Sequence, residues 1–105
     1  MVMNNDLHVL VWNRRAEDLW GLRREEAIGK HFLNLDIGLP VDLLRPMIKE
    51  TLNGNGHPHE VVVPAINRRG RNINVRVVCA PLDGSDSSSV SGAILVMDPD
   101  EAMAG

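Results

Sequence analysis

Cysteine is almost absent from this sequence of 105 residues, and the single one, Cys79, excludes a disulfide within the chain. No apolar run approaches the ~20 residues that a membrane-spanning helix requires, so we expect no membrane insertion. The first residues lack the basic and apolar segments of a secretory signal peptide. These absences predict a cytoplasmic protein, and the length suits one domain with a single hydrophobic core.

Clustered positive charge is also missing. The formal net charge is −3, and the arginine pairs at positions 14–15, 23–24 and 68–69 are separate, each next to acids or in a turn. Because phosphate binding is driven by clustered cations, the composition gives no reason to expect nucleic acid as a partner. We interpret these arginines as parts of a solvated surface.

Familiar catalytic patterns are lacking as well. The serine-rich segment 85–89 has no Gly-x-Ser-x-Gly turn and no positioned base, which argues against a hydrolase and favours a linker. His57 and His59 are close in sequence, but no further ligand stands at a suitable spacing to complete a metal site. His8 and His31 are isolated, which is typical of surface or cap histidines. We expect no enzyme and no metal site.

What the sequence does contain is a clear helix start. An apolar run at positions 7–12 ends at Asn13, whose side chain can accept a backbone N–H from a helix that begins at Arg14. Gly21 tolerates the left-handed conformation that ends such a helix. Three apolar residues lie at helical spacing between these signals, namely Ala16, Leu19 and Trp20.

A second short helix and a single turn follow at once. Residues 24–28 favour a helix with acids in its first turn, and Gly29 ends it. Residues 32–35 predict one helical turn, and residues 36–40 predict the linker after it. The first half of the chain is therefore expected to hold several helices of very few turns.

The longest helix is expected later in the chain. Proline has no backbone N–H and cannot lie deep inside a helix. We therefore expect the helix to start near Arg45, with Pro46 in its first turn, and to run to Leu52. The Asn-Gly repeat at positions 53–56 is expected to terminate it.

The last third of the chain has the pattern of strands. Apolar or β-branched runs predict strands at residues 60–65, 72–80 and 91–97. Two earlier strands are predicted at residues 1–3 and 7–12. Alternation in the 72–80 strand places four residues on one face, namely Ile73, Val75, Val77 and Cys79.

The strand at residues 7–12 suggests an interaction surface. Alternation places Val9 and Val11 inward and leaves Leu10 and Trp12 on the outer face of the sheet. A large aromatic beside a leucine on an open face is an apolar patch of the kind that marks an interaction site. We predict that Leu10 and Trp12 belong to a homodimer or effector contact. The alternative is that Arg76 and other long side chains cover them within the monomer.

The segment from residue 12 to residue 30 resembles the core signature of PAS domains, also called sensory-box or S-box domains. In that family a strand ends in an aromatic residue and Asn, followed by an aromatic-Gly pair, a Glu-Glu helix and an Ile-Gly-Lys step. The residues in register are Asn13, Ala16, Glu17, Trp20, Gly21, Glu25, Glu26, Ile28, Gly29 and Lys30. The order of the later elements also matches, so the resemblance extends from Leu7 to Asp98.

The resemblance implies an α+β fold, a PAS-like five-stranded antiparallel sheet with short helices and one longer helix packed on one face. Residues 1–105 would form a single sensory domain. Complete members carry more residues before the strand at 7–12, so we expect this chain to be a fragment truncated at its N-terminal strand or cap.

Ligand-binding relatives hold a small molecule between the helices and the sheet, and the resemblance implies a mainly apolar pocket here. The candidate lining residues are Leu19, Trp20, Phe32, Asn34, Leu44, Met47, Ile48, Val61, Val63, Val75, Val77, Cys79 and Ile94, with Val96 also expected inward. Cys79 and Asn34 are the nearest polar groups, and Trp20 has the shape to stack on a flat ligand. The alternative is a filled core in which Trp20 only packs its helix on the sheet.

Coloured cofactors are not expected. Flavin-binding members place a reactive cysteine on the short helix after the Gly-Lys step, where this chain has residues 31–33, His-Phe-Leu. Haem-binding members commonly use a histidine on the long helix, and residues 45–52 contain none. The resemblance therefore excludes a flavin adduct and argues against haem, although His57 lies just past that helix.

Two functions remain open. The first is a non-catalytic sensory module of a bacterial signalling protein, which binds a small ligand or a partner and relays the signal by dimerisation. Its attached effector would be a histidine kinase of a two-component system, a cyclic-dinucleotide enzyme or a chemotaxis methyltransferase. The second is a ligand-free adaptor that works by protein contacts.

Many relatives end the last strand with Asp-x-Thr, whereas here Asp98 is followed by Pro99 and Asp100.

Overall fold

The structure is a computed structural model, and it describes residues 1–53, 58–83 and 90–100. The strands are β1 (Val2–Asn4), β2 (Val9–Val11), β3 (His59–Ile66), β4 (Asn72–Asp83) and β5 (Val90–Pro99). The helices are α1 (Arg14–Trp20), α2 (Arg24–Ala27) and α3 (Val41–Leu52), with a 3₁₀ turn at Phe32–Asn34.

The strands form one antiparallel sheet in the order β2-β1-β5-β4-β3. The longest helix, α3, packs against β3, β4 and β5 and against the 3₁₀ turn. The side of the sheet that faces α3 is called the inner face below, and the opposite side is the outer face. The predicted α+β fold, with five antiparallel strands and the helices on one face, is confirmed.

The helix signals around α1 act as predicted. Asn13 has extended backbone angles, and its Oδ1 accepts the backbone N–H of Ala16 at 3.0 Å. Gly21 has a φ of 73° and donates its N–H to the carbonyl of Glu17 at 2.8 Å. The carboxylate of Glu17 in turn accepts the N–H of Arg24 at 2.9 Å, so α1 helps to cap α2. Local hydrogen bonds therefore fix both short helices.

The predicted orientation of Val9 and Leu10 matches the structure, but that of Val11 and Trp12 is wrong. Val2 pairs with Val11 and Met3 pairs with Val9, so Leu10 is an extra residue in a β-bulge. A bulge shifts the alternation by one residue. Trp12 is consequently buried, with 2% of its surface exposed, while Val11 and Leu10 are 49% and 47% exposed.

The predicted start of α3 is also wrong, because the helix begins at Val41 and contains Pro46 in its interior. Pro46 is exposed, and its missing N–H removes the backbone bond that would reach the carbonyl of Asp42. A buried stripe at helical spacing compensates for that loss. Its members are Val41, Leu44, Ile48 and Thr51.

The faces of β5 are reversed relative to the prediction. Ala93, Leu95 and Met97 are buried, whereas Ile94 is half-buried and Val96 is exposed on the outer face. Both faces of this strand are apolar in sequence, so alternation could not assign them. The strand is also positioned by Gly92, where a Cβ would collide with the backbone carbonyl of Met3 on β1.

Both edges of the sheet are modified. Beside β2, the segment 29–32 adds backbone bonds, including Val9 N–H to the carbonyl of Lys30 at 2.9 Å. Beside β3, the N–H of Ile66 donates to the carbonyl of Gly38 at 3.0 Å. The backbone N–H and C=O groups of Ile66 and of every second residue before it in β3 therefore point away from β4. One of these alternate residues is Pro64, which has no N–H to offer at that edge.

Several sequence predictions lie wholly or partly outside the described residues. These are the segment 54–56, His57, the serine-rich segment 85–89 and the residues after position 100.

Candidate functional site

The candidate pocket residues lie between the inner face of the sheet and the helices above it. Antiparallel pairing places Val63 beside Val75, Val77 beside Met97 and Cys79 beside Leu95. The α3 stripe covers these residues from one side, and the side chain of Phe32 on the 3₁₀ turn is fully buried in the same cluster. The interior is therefore assembled from elements distant in sequence.

Most of the predicted pocket residues come together in this interior. Those that are buried are Leu19, Trp20, Phe32, Leu44, Ile48, Val63, Val75, Val77 and Cys79, and those half-buried against them are Met47 and Val61. Two do not join them. Asn34 is exposed at the end of the 3₁₀ turn, and Ile94 lies on the outer face. Asn34 ends the 3₁₀ turn two residues after the buried Phe32, and its side chain is exposed to solvent.

Thr51 is an interior residue that the sequence did not identify. It is fully buried, and its hydroxyl donates to the carbonyl of Met47 at 3.0 Å, one turn earlier in α3. The same hydroxyl lies within hydrogen-bond reach of Cys79. Burial raises the pKa of the Cys79 thiol, and the bond with Thr51 opposes that rise. With α3 starting at Val41, the buried stripe at i, i+3, i+7 and i+10 would have included Thr51.

The two tryptophans differ in how the fold treats their indole N–H groups. Trp12 Nε1 donates to the backbone carbonyl of Leu22 at 2.7 Å. Trp20 Nε1 is buried and has no hydrogen-bond partner among the described residues. Buried polar atoms are nearly always paired in folded proteins, so the Trp20 donor is an exception.

The interior offers no ionised side chain to a ligand. Among the described residues, Thr51 is the sole buried side chain of the polar or charged classes, and the Cys79 thiol is buried beside it. An ion placed there would lose its hydration without compensation. The interior is therefore suited to neutral, apolar groups.

The outer face carries an apolar patch on the opposite side of the same strands. Cross-strand pairing aligns Val11, Val2, Ile94 and Ala80 in one row. The next row contains Val96 and Val78. We call these six residues the outer patch. Val11 and Val96 are each about half exposed, at 49% and 48%, so the patch is open to solvent.

Comparisons with known proteins agree on the fold. No family model matches the chain. The PAS domain of a protein from Colwellia psychrerythraea superposes with a TM-score of 0.73 at 20% identity, covering 94% of this chain and 82% of the other. The PAS domain of the histidine kinase ThkA gives a TM-score of 0.69 at 20% identity, covering 93% of this chain and 94% of its own.

A third similar protein is VqmA. Vibrio cholerae VqmA, solved as a dimer in the absence of its target DNA, gives a TM-score of 0.76 at 17% identity over 98% of this chain. VqmA bound to DPO gives a TM-score of 0.73 at 16% identity over 95% of it. The present chain spans 46% and 50% of those two VqmA chains.

The chain has the PAS fold. In this PAS fold, the end of β5 is held by ion pairs to two other elements. Asp98 pairs with Arg15 of α1, and Arg76 of β4 lies 3.8 Å from Asp100 and 3.9 Å from Glu60. The N–H of Asp100 also donates to a β4 carbonyl at 2.7 Å. Asp98 thus has a structural partner even though Pro99 and Asp100 replace the usual residues after it.

An open groove lies outside the PAS interior. It has a volume of about 840 Å³ and runs between the linker before α3 and the adjoining ends of β3, β4 and β5. Its lining is mostly apolar, with the amides of Asn72 and Asn74 and the carboxylate of Asp100. None of the predicted pocket residues lines it, so the groove and the interior are separate features.

The described parts of the PAS fold contain neither a membrane-spanning helix nor a cluster of metal ligands. No helix in residues 1–53, 58–83 and 90–100 is both long and apolar enough to cross a membrane. Within the same ranges, no three side chains of the metal-binding types gather at one place. The structure does bring His8 and His31 together, with ring centroids 5.7 Å apart, although the sequence had suggested two isolated histidines.

Proposed function

We propose that this chain is a non-catalytic sensory module of a bacterial signalling protein, acting in the cytoplasm. It binds a small ligand in the PAS interior and relays the signal through a homodimer to an attached effector. A histidine kinase, a cyclic-dinucleotide enzyme and a chemotaxis methyltransferase are the effector classes we consider. We propose no coloured cofactor, no metal and no nucleic acid as direct partners of this domain.

The two faces of β5 carry this proposal. Leu95 and Met97 belong to the buried interior, while Ile94 and Val96 belong to the outer patch. Any change in packing inside the domain therefore acts on a strand that also forms the exposed surface. A single strand links a ligand-responsive interior to a contact surface, which is what a relay requires.

The neighbours support parts of this proposal. One is the PAS domain of a histidine kinase, and VqmA has been solved as a dimer and with DPO bound. VqmA also binds DNA, but the present chain corresponds to half of it and has a net charge of −3. We therefore propose a sensory function for this chain, and we do not propose that it binds DNA.

The outer patch replaces the predicted contact of Leu10 and Trp12. Trp12 is buried within the monomer and cannot take part without unfolding β2. Leu10 is exposed on the bulge beside Val11, so it remains in the proposed contact. The outer patch and Leu10 are together the dimer surface that we propose.

Sedimentation velocity tests the dimer. We expect the wild type to dimerise and Val96→Lys to weaken the dimer at least about tenfold, because a buried unpaired charge is costly at an interface. The control is Leu43→Lys, which places the same charge at an exposed leucine on α3, away from the outer patch. Equal dimerisation of wild type and Val96→Lys, or a monomeric wild type, would contradict the proposal.

A ligand-free adaptor is the second candidate function, favoured by the dense packing of the interior. Phe32, Leu44, Val75, Val77 and Leu95 are all fully buried. Native mass spectrometry of the purified chain, with a visible absorbance spectrum, separates the two candidates. A stoichiometric colourless small molecule supports the sensor, and the bare mass supports the adaptor. A flavin or haem band that survives gel filtration would contradict the absence of a coloured cofactor.

A further inference from the structure

The unpaired indole N–H of Trp20 indicates what the interior recognises. Trp20 is 7% exposed, and its Nε1 is the one buried side-chain nitrogen or oxygen of the described residues that has no partner. The other tryptophan provides a comparison within the molecule, because Trp12 Nε1 is satisfied by a backbone carbonyl. The fold thus completes one indole hydrogen bond and leaves the other incomplete.

The backbone on either side of Trp20 is held in a fixed position. Trp20 is the last residue of α1, and the end of this helix is attached at two points. The N–H of Gly21 donates to Glu17, and the carbonyl of Leu19 accepts the N–H of Arg68, both at 2.8 Å. These bonds fix the backbone that carries Trp20, and its buried indole N–H meets no acceptor among the described residues.

A lone water molecule would gain few side-chain hydrogen bonds at this place. A buried water usually makes about three hydrogen bonds to otherwise unsatisfied polar groups. Within the described residues, no second buried side-chain nitrogen or oxygen lacks a partner. A water at Trp20 would therefore find no other side chain that needs it.

We infer that the interior takes a small, neutral, mainly apolar molecule with one hydrogen-bond acceptor, and that Trp20 Nε1 donates to this acceptor. The inference rests on the proposed ligand-binding function and specifies the ligand class. The neutral character follows from the absence of ionised side chains in the described interior, and the single acceptor matches the single unpaired donor. Trp20 would anchor the ligand by its N–H in addition to any stacking of its ring.

Nuclear magnetic resonance of the two indole N–H groups tests this inference. The compounds are cyclohexanone and methylenecyclohexane, which have the same ring shape but differ in the presence of an acceptor oxygen. Trp20→Phe assigns the two indole signals. We expect cyclohexanone to move the Trp20 signal with saturation and to leave the Trp12 signal in place, while methylenecyclohexane moves core methyl signals only.

The affinity ratio of the two compounds provides the second measurement. In wild type the hydrogen bond from Trp20 raises the affinity for cyclohexanone but not for methylenecyclohexane. We therefore expect Trp20→Phe to reduce the preference for the ketone about threefold to tenfold. The control is Trp12→Phe, which removes an indole that already has a partner and should preserve the ratio.

The outcomes separate this inference from the proposed function. If both compounds shift core signals but the Trp20 indole does not respond to the ketone, the interior binds small molecules and the anchoring role of Trp20 is wrong. If neither compound shifts any core signal up to its solubility limit, both the anchor and the ligand-binding sensor are wrong, and the adaptor function remains.

Discussion

The two faces of the sheet use the same kinds of residue for different purposes. On the inner face Val75 and Val77 have no exposed surface, whereas Val62 and Val96 on the outer face are about half exposed. β-branched residues satisfy strand propensity equally well on either side. Composition alone therefore does not define the core of this domain. The layer of helices above one face does.

The largest difference between the faces is expected in stability. Phe32→Ala empties a fully buried position under the helices and should lower the free energy of unfolding by about 3–5 kcal/mol. Val62→Ala removes a side chain already half exposed on the outer face and should change it by less than about 1 kcal/mol. Urea denaturation of both variants makes the comparison. Similar losses would mean that the two faces are equally covered.

A smaller effect is expected from the helices that create the inner layer. Asn13→Ala removes the side-chain acceptor of the Ala16 N–H and should cost ~1 kcal/mol of stability. Asn13→Asp is the control, because an aspartate caps a helix equally well. If the denaturation midpoint of Asn13→Ala equals that of the wild type, the Asn13 cap does not stabilise the fold.

The smallest effect concerns Cys79, which is buried on the inner face. Burial raises the pKa of its thiol in the folded state, so the unfolded chain ionises at lower pH. Its contribution to stability is present below the ordinary thiol pKa and is lost as the pH rises through the folded value. The free energy of unfolding should therefore fall more steeply with rising alkaline pH for wild type than for Cys79→Ala. Urea denaturation at several pH values measures this slope. Identical slopes, or rapid thiol labelling of the native protein, would contradict the inner position.

The sequence predicted the fold and much of the interior because local signals were strong. Asn13 and Gly21 fix α1 through their own hydrogen bonds, and the alternation of Val75, Val77 and Cys79 in β4 is unambiguous. These features depend on neighbours in the chain. They require no knowledge of the tertiary structure.

Other features depend on contacts between distant elements, and the sequence could not predict them. The bulge at Leu10 arises in the pairing of β1 with β2, and the residue that follows β2, Trp12, is buried. Val96 was assigned to the wrong face because β5 is apolar on both sides. Pro46 suggested a late helix start, but the burial of Val41 stabilises the earlier one.

The two modified edges of the sheet limit how copies of this domain can assemble. Segment 29–32 occupies the edge at β2, and Pro64 together with the Gly38–Ile66 bond interrupts the edge at β3. Strand addition at an edge repeats from copy to copy and leads to open fibres, whereas pairing of two faces is complete with two copies. The proposed association through the outer patch would therefore give a closed pair, and the modified edges disfavour polymerisation by strand addition.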